Sequence, residues 1–334
     1  MSATRISVIA LSAFVPLALV GCGDSTPAPT TTTAGATATA SVKPVAPAAT
    51  TEPVVRTIPA DVSYETAEAV YRSGRYEDAA RHFEVYTASH PANAFGHYML
   101  GLSAWKSGDL KAAEKAFDAA LALDPSHVKS LLNSSRVLLD ADRATEALER
   151  IERALEIDSA SSDGLRLLGR ANVALGRTDE AIGAYRRAIV ADNGDVWSMN
   201  NLGLIYIEAG EAEQALAPLA RAVELRPTAP VFRNNLGIAL ERTGQLLSAR
   251  KAFEAALTAD STYGKAAASL ARVNAQADTL SADTVDLSEL AQGFRMQVRI
   301  WQDNMMARDV VGEVPVIDAE VVDTAASAEV HDGC

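Results

Sequence analysis

The chain has 334 residues and a formal net charge of −13 at pH 7. The negative charge is concentrated at the C-terminal end, where residues 278–334 carry twelve acids against three arginines. The remainder is only mildly acidic and shows no basic surface, which argues against nucleic acid as a partner.

The first 22 residues are predicted to be a targeting segment. Arg5 supplies a positive charge, and the apolar stretch from Ile6 to Val20 is too short and too close to the terminus for an ordinary membrane span. The stretch ends in Leu19-Val20-Gly21-Cys22, which resembles the lipobox of bacterial lipoproteins. A plain secretory signal with a chance cysteine is the alternative.

The lipobox resemblance implies that Cys22 becomes the acylated first residue of the mature protein and anchors it in a membrane of the cell envelope. Gly23 rather than aspartate follows, which by the same resemblance implies the periplasmic face of the outer membrane in a Gram-negative host. Once Cys22 carries lipid, Cys334 has no cysteine to pair with in the chain, so packing alone must stabilise the fold.

Residues 23–59 are predicted to form a disordered tether. Threonine, alanine, proline and serine dominate this segment, and it has no apolar period that a core could bury. We interpret it as a spacer without a recognition role.

Between residues 60 and 263 a pattern of residues returns six times at a spacing of 34. A small residue or a turn former follows the first half of each unit, at Gly74, Gly108, Asp142, Gly176, Gly210 and Gly244. A closing residue ends each unit, at Pro91, Pro125, Ser159, Asn193, Pro227 and Ser261. A fixed period of this length predicts a stacked helical solenoid.

One unit shows the pattern in full, with Leu100-Gly101 and Ala104 on a first helix, Gly108 at the turn, Ala113 and Phe117 on a second helix, and Pro125 at the end. This unit resembles the tetratricopeptide repeat. The resemblance implies an all-α, right-handed solenoid of six helix pairs at 60–93, 94–127, 128–161, 162–195, 196–229 and 230–263. It also implies that the first helices line a concave groove that holds protein or peptide partners.

The first helices carry two groups of candidate peptide-binding residues. The aromatic group contains Tyr64, Tyr71, Phe95, Tyr98 and Trp105. The polar group contains Asn133, Arg136, Arg166, Arg170, Asn201 and Asn235. Amides can both donate to and accept from a peptide backbone, and arginine can bind a carboxylate through two hydrogen bonds.

A second interpretation of these residues stays open at this point. The aromatic rings can simply pack into the inner wall, and the arginines can pair with neighbouring acids. If the groove hypothesis holds, replacing Asn201 and Asn235 together by alanine should weaken partner capture and lower stability little.

Three further segments follow the repeats. Residues 264–277 are predicted to be a capping helix, and residues 309–334 an acidic, disordered tail. Residues 285–308 carry an apolar stripe at three- and four-residue steps and are predicted to form an amphipathic helix. We expect this helix to dock on its own solenoid, with the groove as one location, whereas presentation to a partner protein is the alternative.

The motifs of catalysis and metal binding are missing from the sequence. The five histidines have no metal-ligand spacing, and there is no phosphate-binding glycine loop and no nucleophile elbow. We therefore predict a scaffold without cofactor or small-molecule substrate rather than an enzyme. Two roles resemble known repeat lipoproteins, namely the pilotins that assist type IV pilus secretins and the adaptors of peptidoglycan-processing enzymes.

Overall fold

A computed structural model describes residues 58–276 and 285–311. One compact unit contains all of them. The predicted signal segment, the tether up to residue 57 and the tail from residue 312 lie outside the described residues. Cys22 and its lipobox therefore remain predictions from the sequence.

The described residues form fourteen α-helices and no strand. Twelve of them make six pairs: α1 Tyr64–Arg72 and α2 Tyr76–Ser89, α3 Ala94–Ser107 and α4 Leu110–Leu123, α5 Val128–Asp140 and α6 Ala144–Ile157, α7 Ser162–Ala174 and α8 Thr178–Ala191, α9 Val196–Glu208 and α10 Ala212–Leu225, α11 Pro230–Arg242 and α12 Leu246–Ala259. Two single helices follow, α13 Gly264–Asn274 and α14 Leu287–Val311. No stretch of the described helices combines the length and the hydropathy that a membrane-crossing helix requires.

Each helix from α1 to α12 packs against the next one along the chain, which confirms the predicted all-α solenoid of consecutive helix pairs. First helices of neighbouring repeats also contact one another, in the pairs α1 and α3, α3 and α5, α5 and α7, and α9 and α11. Successive second helices in the described range make no comparable contact. We call the faces formed by α1, α3, α5, α7, α9 and α11 the first-helix surface, and those formed by the even-numbered helices to α12 the second-helix surface.

Close packing within a repeat depends on a missing side chain on the first helix. A Cβ added to Gly203 would lie 2.5 Å from Cγ of Leu219, which is fully buried on α10. The same relation joins Gly101, Gly169 and Gly237 to the large buried residues Phe117, Tyr185 and Phe253. In these four repeats the glycine therefore allows the close approach of the two helices.

The turn between the two helices requires a left-handed residue. Asp142 takes this conformation in the third repeat with φ 58°, where the other five repeats have glycine. Among the described residues it is the one non-glycine with positive φ. Aspartate tolerates this region better than most residues, which explains why the period survives there without glycine.

The last helix, α14, docks on the second-helix surface. It packs mainly against α10 and also against α8, and the backbone N–H of Val285 donates to Oγ of Ser248 on α12 at 3.1 Å. Its apolar stripe is inserted into the core, with Ala291, Phe294 and Val298 buried. The expectation that the helix docks on its own solenoid agrees with this packing, whereas the groove as its location is wrong.

A buried arginine stabilises the docked helix. The guanidinium of Arg186, 9% exposed on α8, lies 5.2 Å from the ring centre of Trp301 on α14. The same guanidinium donates to the hydroxyl of Tyr206 on α9 at 2.7 Å. Cation–π contact and burial of the apolar stripe together stabilise α14 on the second-helix surface.

Candidate functional site

All eleven candidate residues lie on first helices and hence belong to the first-helix surface. The structure distributes them as Tyr64 and Tyr71 on α1, Phe95, Tyr98 and Trp105 on α3, Asn133 and Arg136 on α5, Arg166 and Arg170 on α7, Asn201 on α9 and Asn235 on α11. Most of them fall into three clusters, which differ in how far their side chains are open to solvent, whereas Tyr71, Trp105 and Arg170 lie outside the three. Peptide binding by any single residue stays a prediction.

The first cluster is a group of aromatic rings around Phe95. The Phe95 ring lies 5.8 Å from that of Tyr64 and is stacked on that of Tyr98 at 5.5 Å, and His127 meets Tyr98 edge-on at 5.0 Å. Tyr98 is buried, whereas Phe95 is 46% exposed. The neighbouring rings therefore hold one large apolar side chain in a fixed position open to solvent.

Burial raises the pKa values of two tyrosines in this cluster. It is the main cause that raises the pKa of Tyr64 to about 12, and the charge of Glu68 adds to it. Burial also raises the pKa of Tyr98, whose hydroxyl accepts a long hydrogen bond from Nδ2 of Asn133 at 3.4 Å. Both phenols are neutral at physiological pH, as an unperturbed tyrosine also is.

Tyr71 and Trp105 do not join the rings around Phe95. Tyr71 packs edge-on against Tyr76 of its own repeat at 5.3 Å. The Nε1–H of Trp105 donates to Asp140 at 3.0 Å, and Asp140 also accepts from Arg170 at 3.3 Å. This chain of contacts joins three successive repeats.

The second cluster is an ion network that occupies the arginines. Asp163 accepts from both Arg136 and Arg166, and Arg166 also approaches Asp195 with 3.6 Å between Nε and Oδ2. Burial alone would raise the pKa of Asp163, but the charges and hydrogen bonds of Arg136 and Arg166 outweigh it and lower the pKa below its usual value. A partner carboxylate would have to displace carboxylates that the chain itself supplies.

The third cluster is a relay of four asparagine amides. Nδ2 of Asn234 donates to Asn235 at 3.2 Å, Nδ2 of Asn235 to Asn200 at 2.8 Å, and Nδ2 of Asn200 to Asn201 at 3.3 Å. All four are 3–7% exposed. The relay joins repeats five and six and leaves Oδ1 of Asn234 without a donor among the described residues.

Several residues of these clusters were not identified as candidates from the sequence. Asn200 and Asn234 are 34 residues apart, so the period that identified Asn201 and Asn235 could have identified them too. The acids Asp140, Asp163 and Asp195 occupy unequal positions in their repeats, and no periodic signal points to them. Asp163 pairs with Arg166 within α7, whereas packing of α5 against α7 brings Asp163 to Arg136 and Asp140 to Arg170.

The comparisons with known proteins agree with the repeat fold. The family model of the tetratricopeptide repeat matches residues 98–162, 132–196 and 200–264. No curated protein sequence matches the chain.

Solved structures of similar fold include a tetratricopeptide repeat protein from Parabacteroides merdae, with 14% identity, a TM-score of 0.53 and coverage of 63% of this chain and 82% of that one. The Cut9–Hcn1 assembly of the APC/C has 14% identity and a TM-score of 0.55, with coverage of 62% of this chain and 41% of that one. MamA has 26% identity and a TM-score of 0.44, with coverage of 52% of this chain and 94% of that one. At 14% identity the first two show likeness of fold alone.

Proposed function

We propose that the chain is a scaffold that captures a segment of a partner protein along its first-helix surface, because residues 98–196 and 200–264 match the family model of the tetratricopeptide repeat. Such arrays typically bind proteins or peptides and are typically not enzymes. The observation that carries the proposal is the exposed ring of Phe95, held in place by Tyr64 and Tyr98. Rigid aromatic side chains of this kind often supply most of the energy of an interface.

The ion network and the asparagine relay have a different role in this proposal. The polar groups of these clusters already form hydrogen bonds and ion pairs with one another. The clusters therefore position neighbouring repeats and contribute less to ligand contact than the sequence alone implies. Replacing Asn235 would leave groups of Asn200 and Asn234 unpaired in a buried place, at a cost of about 1–3 kcal/mol each. An asparagine variant is therefore a poor test of binding, since it also lowers stability.

Phe95→Ala provides the sharper test. The matched control is Leu123→Ala, because Leu123 is 44% exposed and lies at the end of α4, a second helix. A photo-crosslinker placed at residue 102 in intact cells should trap a partner, and Phe95→Ala should reduce the yield of that product about tenfold or more. Equal yields from both alanine variants would contradict the role of the aromatic cluster.

We also propose that acylation of Cys22 anchors the scaffold to the cell envelope and that residues 23–59 hold it away from the bilayer. The support is the sequence Leu19-Val20-Gly21-Cys22 behind an apolar stretch. More than one acyl chain would give stable attachment. Mass spectrometry of the mature N-terminal peptide tests this, and Cys22→Ser should move the protein from the membrane fraction to the soluble one. An unmodified cysteine in the mature protein would refute it.

The identity of the trapped partner separates the two specific roles. A secretin subunit would favour a pilotin-like assembly factor, and a peptidoglycan-processing enzyme would favour an adaptor.

A further inference from the structure

A cavity of about 140 Å³ lies on the outside of the array, where α14 crosses the second-helix surface. Its volume is close to that of an engineered cavity known to hold a benzene-sized group. The floor is apolar and consists of Met199, Phe294 and Val298. The rim contains the three arginines Arg221, Arg295 and Arg299.

The rim carries more positive charge than its own acids neutralise. Glu224 accepts from Arg221 at 2.5 Å and from Arg295 at 2.8 Å, and these hydrogen bonds lower its pKa. Arg299 has no acidic partner within the part of the chain that the structure describes. Three guanidinium groups therefore face one carboxylate, in a protein whose net charge is −13.

An arginine rim above an apolar floor fits a carboxylate that is carried next to aliphatic side chains. The chain holds two such groups just beyond α14. Val316-Ile317-Asp318 and Val321-Val322-Asp323 each place two β-branched residues directly before an aspartate. Residues 312–334 contain six acids and no lysine or arginine, so their charge is complementary to the rim.

We propose that this cavity is a carboxylate site for the chain's own C-terminal segment, residues 316–323. The segment is long enough to reach from the end of α14 back to the cavity. Thirteen helical residues separate Val298 from Val311, or about 20 Å, whereas the twelve residues from Val311 to Asp323 reach about 40 Å when extended. A tethered ligand has an effective concentration in the millimolar range, so a shallow site with one free arginine is sufficient.

Methionine methyl groups allow the docking to be measured in the full-length chain. Met199 lies in the cavity floor, and Met99 lies on α3 in the second repeat and serves as the internal control. The chain is prepared with Cys22→Ser and Cys334→Ser, with a nitroxide on Thr324→Cys and with ¹³C-methyl methionine. The nitroxide should broaden the methyl signal of Met199 and leave that of Met99 sharp.

Arg299→Glu should lower the ratio of docked to free tail about five- to tenfold, and the Met199 signal should recover accordingly. Because Arg299 is exposed and unpaired, this change should not disturb the fold, and circular dichroism checks that. The matched control is Arg177→Glu, because Arg177 is also exposed but precedes α8, whereas the cavity is lined by Asn193 just after that helix, about 20 Å further along it. Replacing Asp318 and Asp323 by asparagine should have the same effect as Arg299→Glu.

The proposal is overturned if the nitroxide leaves Met199 sharp, or if broadening persists unchanged in Arg299→Glu. It is also overturned if the broadening comes from a second molecule, which a mixture of nitroxide-bearing unlabelled chain and ¹³C-labelled chain without nitroxide detects. If the tail stays free while inorganic phosphate shifts Met199 in an Arg299-dependent manner, the cavity binds an external anion, and the assignment to residues 316–323 is wrong.

Discussion

Substitution of Gly203 by alanine tests the close approach of the two helices within a repeat. The added Cβ would lie 2.5 Å from Cγ and 2.9 Å from both Cδ atoms of Leu219. Leu219 is fully buried, and Cγ is its branching atom, so the side chain cannot turn away. Overpacking of this kind costs about 1–3 kcal/mol. Alanine offsets about 1 kcal/mol of that by its higher helix propensity.

We therefore expect Gly203→Ala to lower the free energy of unfolding by up to about 2 kcal/mol. The control is Gly293→Ala, because Gly293 is also helical but a Cβ there would meet no atom within 4 Å. It should gain about 1 kcal/mol from propensity alone. The difference between the two variants, about 1–3 kcal/mol, isolates the steric term.

Urea unfolding followed by circular dichroism gives the two free energies. Solenoids can unfold in parts, so amide hydrogen exchange in α9 and α10 should locate the loss in the fifth repeat. If Gly203→Ala proves as stable as Gly293→Ala, the reasoning about helix distance is refuted.

Three further outcomes are expected. Asp142→Gly should stabilise the third repeat by about 1 kcal/mol in urea unfolding, since glycine takes the left-handed conformation without strain, and a loss would contradict that account. The lowered pKa of Asp163 means that its stabilising effect is present above its usual value of 3.8 and is lost as pH falls through the folded value. In that acidic range the free energy of unfolding of Asp163→Asn should therefore change less with pH than that of the wild-type protein. Equal pH dependence of the two proteins would argue against this role of Asp163. Phe294→Ala removes a buried ring at a cost of about 3–5 kcal/mol and should expose α14 to limited proteolysis, whereas Met296→Ala on its exposed face should not; equal cleavage would count against the docked helix.

The repeat array is the part of this protein that the sequence predicts best. Glycine at Gly203, a left-handed turn residue at Asp142 and a large residue at Leu219 each satisfy a local packing rule. The turn residue and the large residue recur in all six repeats and the glycine in four, with Ala67 and Ser135 in its place in the other two, because each helix pair meets similar neighbours. A periodic sequence therefore predicts helix pairs, their turns and the helices that form the first-helix surface.

For the candidate site, the sequence predicts which helices carry the residues but not what their side chains contact. The period places Arg136, Arg166 and Asn235 on first helices, but it does not reveal whether their polar groups face a ligand or one another. The structure pairs the arginines with Asp163 and joins Asn235 to Asn200. Asp163 lies one turn before Arg166 on α7, and Asn200 and Asn235 lie one period and one residue apart. Such spacings place these residues near one another but do not show that their polar groups are taken up by one another.

The amphipathic stripe of α14 illustrates the same division. Sequence alone determined that residues 285–308 have an apolar face that needs cover, because hydrophobic periodicity is a local property of the chain. Only the tertiary structure decided which face covers it, because the trough formed by α8 and α10 and the buried Arg186 that meets Trp301 exist only once the repeats have stacked.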